Sequence, residues 1–328
     1  MAHNPENMSG KLSAEALSRT VFGALGAERP EVLVGPAVGE DAAVIRCTGR
    51  YLLFASDPIV GASEGAGKLL VRVNVNDIAS KGGEPAYIVI TIIAPPAMGE
   101  AYVSRVMRDA HGECARHGIA IVGGHTEFNG MYEHPVLSAA LIGYAERVFR
   151  ASDVSPGDVL LVTGHIGVEG MAILASDRPD LLSGILSPDE TAEVRSWMDD
   201  TCVLDVSRTL RRYAVFMHDP TEGGFRGGVS EVCRLAGIEA DIDEGAAPVH
   251  PYTKRVSESL GFDPLSLVAS GSMLAAVRGR SEKDATNALR AAGIPFKTVG
   301  RMTERPCAQS SCAPPEALWE LLGRPLRG

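Results

Sequence analysis

The sequence predicts two α/β (α+β) domains, and three observations carry that reading. The chain is 328 residues long, about twice the usual domain size. Short apolar runs alternate with amphipathic helical stretches along its whole length, without strict βαβ regularity. Turn chemistry at Ser155-Pro156-Gly157-Asp158, followed by the fresh apolar run Val159–Gly164, marks a boundary near residues 150–157. The expected organisation is a disordered tail over 1–12, a first domain over 13–150 and a second over 151–328.

The elements follow in order. Ser13 caps an expected helix from Ala14 to Leu25, whose Leu17, Val21, Phe22 and Leu25 recur at helical spacing. Gly39 to Ile45 reads as a loop entering a strand, and Tyr51–Ser56 as a buried strand that stops at Asp57-Pro58. Gly65–Lys81 reads as a helix, Tyr87–Ile93 as an apolar strand, and Glu100–His117 as a long amphipathic helix. Ile119–Val122 is a short strand ending in Gly123-Gly124, and Val136–Tyr144 another strand. In the second half, helices are expected over Val168–Ser176 and within Pro188–Arg212. A strand Ala214–Met217 runs into His218-Asp219-Pro220-Thr221-Glu222-Gly223-Gly224, and a helix continues to Ala236. Strands near Ile238–Ile242, Leu267–Val277 and Phe296–Val299, and helices over Ser281–Ala292 and Glu316–Leu322, complete the chain.

Composition narrows the function. Lys and Arg number 31 against 41 Asp and Glu, a net charge of −10, which excludes a nucleic-acid binder driven by phosphate neutralisation. A nucleotide held through Mg²⁺ stays open. No run approaches the roughly 18 apolar residues of a membrane helix, and the opening MAHNPENMSG has no apolar signal core. Six cysteines in a chain this long are not a disulfide framework, so a cytoplasmic protein with reduced thiols is expected.

Candidate chemistry gathers where acids and amides flank apolar strands and glycines: Asp41, Asp57, Asn74, Asn76, Asp77, Glu127 and Asp219. Converging carboxylates repel one another unless a cation sits between them, and phosphate-bound Mg²⁺ needs only one or two of them. The glycine pairs Gly123-Gly124 and Gly223-Gly224 follow apolar strands, where backbone N–H groups could face phosphate. Other motifs fail on inspection. Ala62–Leu69 misses a P-loop by its first glycine and by the hydroxyl after Lys68. His111, Cys114 and His117 read as a surface helix rather than a zinc site, and Cys307 with Cys312 lacks a second pair.

Four segments, Gly35–Ile45, Val73–Pro85, Val122–Glu127 and Asp219–Gly224, together resemble the aminoimidazole ribonucleotide (AIR) synthase superfamily, across about residues 13–303. Asp57-Pro58-Ile59, Gly157–Gly164, Gly170–Ala175 and Asp219-Pro220-Thr221 are most similar to its HypE-like hydrogenase-maturation branch, and Gly39–Ala43 also to its thiamine-phosphate kinases. The resemblance implies a two-domain PurM-like fold in which N-terminal domains of two subunits pair into a β-barrel and C-terminal α/β domains pack outside. It implies ATP and Mg²⁺ as cofactors, a homodimer, and phosphoryl transfer to a small-molecule or protein-borne acceptor.

By motif, Asp41, Asp57 and Asp77 would hold metal. Gly39, Asp57, Asn74, Gly123, Gly124, Thr221 and Gly223 would bind nucleotide, and Asp77, Asn76 and Asp219 would be catalytic. Neither nucleic acid nor a membrane is an expected partner. Where HypE-like proteins carry Lys this chain has Glu127, and where they carry Glu it has Ser270-Gly271. Its nearest cysteine to the C-terminal Gly328 is Cys312, whereas HypE uses a terminal cysteine. A small-molecule kinase and a non-catalytic nucleotide-binding assembly protein are the alternatives.

Overall fold

Two antiparallel-rich sheets organise the chain, seen in a computed structural model that describes residues 30–60, 65–307 and 316–325. The expected tail over 1–12, the helix Ala14–Leu25 and Cys312 lie outside the described residues. The first sheet takes β1 (Val32–Val34), β2 (Ala43–Cys47) and β3 (Arg50–Val60), then β4 (Glu84–Ala94), β5 (Ala120–Phe128) and β6 (Val136–Ala145). Its order is β1-β2-β3-β6-β4-β5, antiparallel except for the parallel pair β4–β5. Helices α1 (Ala66–Ser80) and α2 (Gly99–His117) supply the crossovers.

Side chains alternate along these strands as a half-buried sheet requires. Leu53 and Ala55, Ile88, Ile90 and Ile92, and Leu137, Ala139 and Leu141 are buried. The opposite face leaves Phe54, Tyr87, Val89 and Val122 exposed. Among the described residues this sheet is open, with β1 and β5 at its edges.

The second sheet contains β7 (Val159–Thr163), β8 (Ala214–His218), β9 (Ile238–Ile242), β10 (Met273–Val277) and β11 (Phe296–Pro306), ordered β8-β10-β7-β11-β9 and antiparallel throughout. Around it lie α3 (Val168–Asp177), α4 (Pro179–Leu182), α5 (Pro188–Ser196), α6 (Leu204–Leu210), α7 (Gly224–Ala236), α8 (Pro251–Leu260), α9 (Glu282–Ala291) and α10 (Ala317–Leu322). One apolar core is continuous between the sheets, joining Leu70, Val71 and Ile78 of α1 to Leu204, Leu210, Met217 and Met273. Helix α1 is therefore enclosed on both sides.

Several expectations need correction. Strand β3 does not stop at Asp57-Pro58 but runs on to Val60. Beyond Phe54 it has left its partner β2 and pairs only with β6, so proline's missing N–H breaks no ladder on the vacant side. Strand β5 continues through Gly123-Gly124 to Phe128, so these glycines lie within a strand and not in a strand-to-helix turn. The stretch from Leu267 becomes strand only at Met273, and β11 reaches Pro306. Helix α8 was absent from the sequence reading.

Candidate active site

Enclosure forces the buried polar side chains of α1 to find partners inside the protein. Arg72, 1% exposed, donates Nε to Glu113 Oε1 (2.8 Å), Nη2 to Glu113 Oε2 (3.1 Å) and Nη1 to the Met198 carbonyl (2.6 Å). Asn74 accepts the Asp57 N–H (3.0 Å) and donates to the Leu70 carbonyl (2.9 Å), which ties β3 to α1. Asn76 donates to the Thr201 carbonyl (2.8 Å) and accepts the Val203 N–H (2.9 Å), which ties α1 to the second domain. Both amides are thus engaged by main chain at each end. In this arrangement Asn74 and Asn76, expected from the sequence to hydrogen-bond phosphate or substrate, fix the frame around the site.

The chemistry collects at the C-terminal end of α1, where the loop before β2 and the end of β8 meet it. Ligand atoms of Asp41, His218 and Asp219 all lie within 4.8 Å of one another. His218 is sandwiched between acids, with Nδ1 2.9 Å from Asp41 Oδ1 and Nε2 2.8 Å from Glu231 Oε2. Burial alone would lower its pKa, but the charges and bonds of Asp41 and Glu231 outweigh burial and hold it well above the usual histidine value. Both ring nitrogens face carboxylates, an arrangement that favours the imidazolium form of His218.

Asp219 is the opposite case. Burial and the neighbouring charge of Asp41 push its carboxyl up to about 7, with a further push from Asp57, against the pull of His218 and Ser80. Ser80 Oγ donates to Asp219 Oδ1 at 2.6 Å. Beside this group the buried Lys81 ammonium pairs with Glu40 and lies 4.9 Å from the Phe216 ring centroid. Gly39-Glu40-Asp41 therefore uses both acids as cross-links, one to α1 and one to β8.

The oxygen donors here suit Mg²⁺. Asp41 and Asp219 offer carboxylate oxygens and Asp57 adds field, while His218, with both nitrogens facing carboxylates, contributes charge and no coordination. The close group does not include Asp57 or Asp77. Asp57 is half-buried on β3, and Asp77 is 9% exposed on α1.

The expected nucleotide glycines fall in three places. Gly39, at φ +84°, lies against α7: a Cβ there would meet Glu231 Cβ and Leu235 Cδ1 at 3.0 Å each. Gly39 thus serves close packing between loop and helix. Gly124 is pressed against β4, where a Cβ would stand 1.9 Å from the Ile90 carbonyl oxygen, while Gly123 is exposed on the same edge strand. Gly223 precedes α7, and its N–H donates to Glu316 Oε2 at 2.6 Å. Glu316 also accepts from Val268 (3.0 Å) and Leu318 (2.9 Å), so this carboxylate takes the Gly223 N–H of the glycine pair suggested for phosphate. Thr221 lies half-buried in the same loop, its carbonyl accepting the Gly224 N–H at 3.0 Å.

Sequence reasoning thus placed Asp41 and Asp219 together and passed over His218, Ser80, Lys81 and Glu231. His218 carried a signal, a histidine closing an apolar strand directly before an aspartate. Glu231 carried none: it is the single acid of the amphipathic helix α7, with no glycine or strand end beside it to mark it. Glu127 stands on the exposed edge strand β5 with His125 Nε2 3.2 Å away, remote from the buried group in burial and in strand.

Fold and site define a class: a two-domain α/β protein whose acids from both domains converge on the helix between them. The chain belongs to the AIR synthase related protein family, whose N-terminal domain matches residues 39–145 and whose C-terminal domain matches residues 155–310. Carbamoyl dehydratase HypE of Escherichia coli is 28% identical over 279 residues, covering 81% of this chain and 80% of that protein. Among solved structures, the HypE–HypF complex superposes with a TM-score of 0.71 at 20% identity, over 88% of this chain and 93% of that one. AaThiL complexed with AMPPCP and TMP superposes at 0.70 with 21% identity, over 83% and 87%. The mixed α/β architecture is the PurM-like fold of these neighbours.

Proposed function

We propose that this protein is an ATP- and Mg²⁺-dependent phosphoryl-transfer enzyme of the HypE type, acting on an amide or phosphate oxygen of a small-molecule or protein-borne acceptor. The observation that carries the reading is the convergence of Asp41 and Asp219 at 4.8 Å or less, with Asp57 raising the same carboxyl, where the two domains meet. Family membership and the nucleotide complexes of HypE and AaThiL support it. When bound, magnesium would neutralise the charge of the transferring phosphoryl group and hold its oxygens.

This chain's own residues do the rest. Asp41 and Asp219 would hold the ion from opposite domains, while His218 neutralises the acids and fixes Asp41 through Nδ1. Ser80 orients the Asp219 carboxylate. Asn74 and Asn76 keep β3, α1 and the second domain in register, so the acids meet without reorganisation. Asp57, Asp77 and Thr221 complete the proposed nucleotide cleft.

Calorimetric titration with Mg-AMPPCP tests the reading. We expect binding by the wild type, and at least tenfold weaker binding by Asp219→Asn at a thermal midpoint within a few degrees of it. Absence of binding to the wild type removes the enzyme reading. A second reading, a small-molecule kinase, is favoured by Gly39–Ala43 and by the AaThiL likeness. Turnover with thiamine monophosphate, followed by ADP release, separates the two.

A further inference from the structure

Cys233 and Cys307 take no part in the chemistry above, yet they share one cavity. It measures about 320 Å³ and opens between α7 and β9, with Phe225, Val229, Ala240 and Ile242 on its apolar walls and both cysteines on its lining. Cys233 is 7% exposed, near the C-terminal end of α7. Cys307 is half-buried, directly after β11, and packs against the core that contains Cys233.

The main chain sets their approach. The Cys307 N–H donates to the Gly237 carbonyl at 3.0 Å, and Gly237 caps α7 one turn beyond Cys233. That bond places the start of Cys307 one helical turn from Cys233, with both side chains on the lining of the same cavity. The Ala240 N–H bonds the Cys233 sulfur from β9, so that sulfur sits over the strand next to β11. We propose that Cys233 and Cys307 form a redox pair, closed to an intramolecular disulfide by a hydroperoxide entering this cavity.

The step balances. The more accessible Cys307 sulfur attacks the peroxide oxygen and breaks the O–O bond; with hydrogen peroxide, one water leaves and Cys307 becomes a sulfenic acid. The Cys233 sulfur then displaces that hydroxyl as a second water, giving the S–S bond. Two thiols are oxidised and one peroxide is reduced. Burial, with a contribution from Cys307, holds the Cys233 thiol up at about 11, so Cys233 is the resolving sulfur and not the one that meets the oxidant. The bond would staple α7 to β11. Glu231, two residues before Cys233 on α7, is the acid that holds His218.

The test is peroxide treatment of the full chain, N-ethylmaleimide capture under denaturing conditions, and peptide mapping. The expected product is a Cys233–Cys307 cross-linked peptide, two hydrogens lighter than its parts and lost on reduction. Cys307→Ser should abolish it and leave Cys233 alkylated. The variant Cys47→Ser/Cys114→Ser/Cys202→Ser/Cys312→Ser should still form it. Recovery of Cys233 alkylated after peroxide in the wild type, or of Cys307 joined to Cys312, overturns the proposal. Neither result depends on nucleotide binding.

Discussion

Arg72 and Glu113 show what a single residue decides. Both are almost fully buried, and their bidentate pair is the polar joint between α1 and α2. Removing one partner strips the other buried charge of its bidentate ion pair. We expect Arg72→Met to cost about 3–5 kcal/mol in urea denaturation, and Arg72→Met/Glu113→Leu to regain much of that loss. Burial pushes the Glu113 carboxyl up, but the bonds and charge of Arg72, with His117, win and hold it below the usual value of 4.5. Its contribution is therefore complete above that value and lost as pH falls through the lower folded value. The thermal midpoint of the wild type should drop more steeply between pH 5 and pH 3 than that of Glu113→Gln, and parallel slopes would refute the assignment. At this scale the sequence is uneven. Asp41 and Asp219 are legible because acids beside glycines and strand ends have few other uses. Asn74 and Asn76 look identical to ligands in sequence, and only the enclosure of α1 shows that main chain claims them.

At the scale of elements, legibility follows periodicity. Helix α2 and strand β9 are read almost to the residue, since an amphipathic stripe and a short bounded run each have one solution. Strand ends are not, because they depend on which neighbour is still present: Pro58 is tolerated only where β2 has ended. Helix α8 escaped because its N-cap is His250, whose ring accepts the Tyr252 N–H, and histidine is not a usual cap. Gly124 is the sharpest case. It looks like a turn glycine and is a strand glycine, kept small by the Ile90 carbonyl. Gly124→Ala must push β5 away from β4. It is expected to destabilise the first sheet by about 1–3 kcal/mol, with strained packing as the cause. Hydrogen exchange checks it, since amides of β4 and β5 should lose protection while those of β7 and β10 keep theirs.

For the whole molecule, the two sheets differ in how completely they are covered. In the second sheet all five residues of β7 and of β10 are buried, so both faces of its central strands are covered. The first sheet covers one face with α1 and α2 and presents Phe54, Tyr87, Val89 and Val122 on the other, with Phe128 exposed at the end of its edge strand. Val122 is 58% exposed in a chain where 5% of residues are aromatic and 22% charged, so this face is not an average surface. Among the described residues strand β5 adds an unpaired edge along it. A second copy of the same face would cover the apolar residues and provide a barrel partner, the arrangement the family resemblance implies. Because Tyr87 and Val89 project from β4 opposite the buried Ile88 and Ile90, charges placed there disturb the outer face without entering the core. Sedimentation velocity at micromolar concentration should give twice the 34.5 kDa chain mass for the wild type. Val89→Glu/Val122→Lys should sediment as the single chain at nearly the wild-type thermal midpoint, since both sites already face solvent within one copy. A wild type that sediments as a single chain, or a double variant that stays dimeric, would show that this face is not where two copies meet.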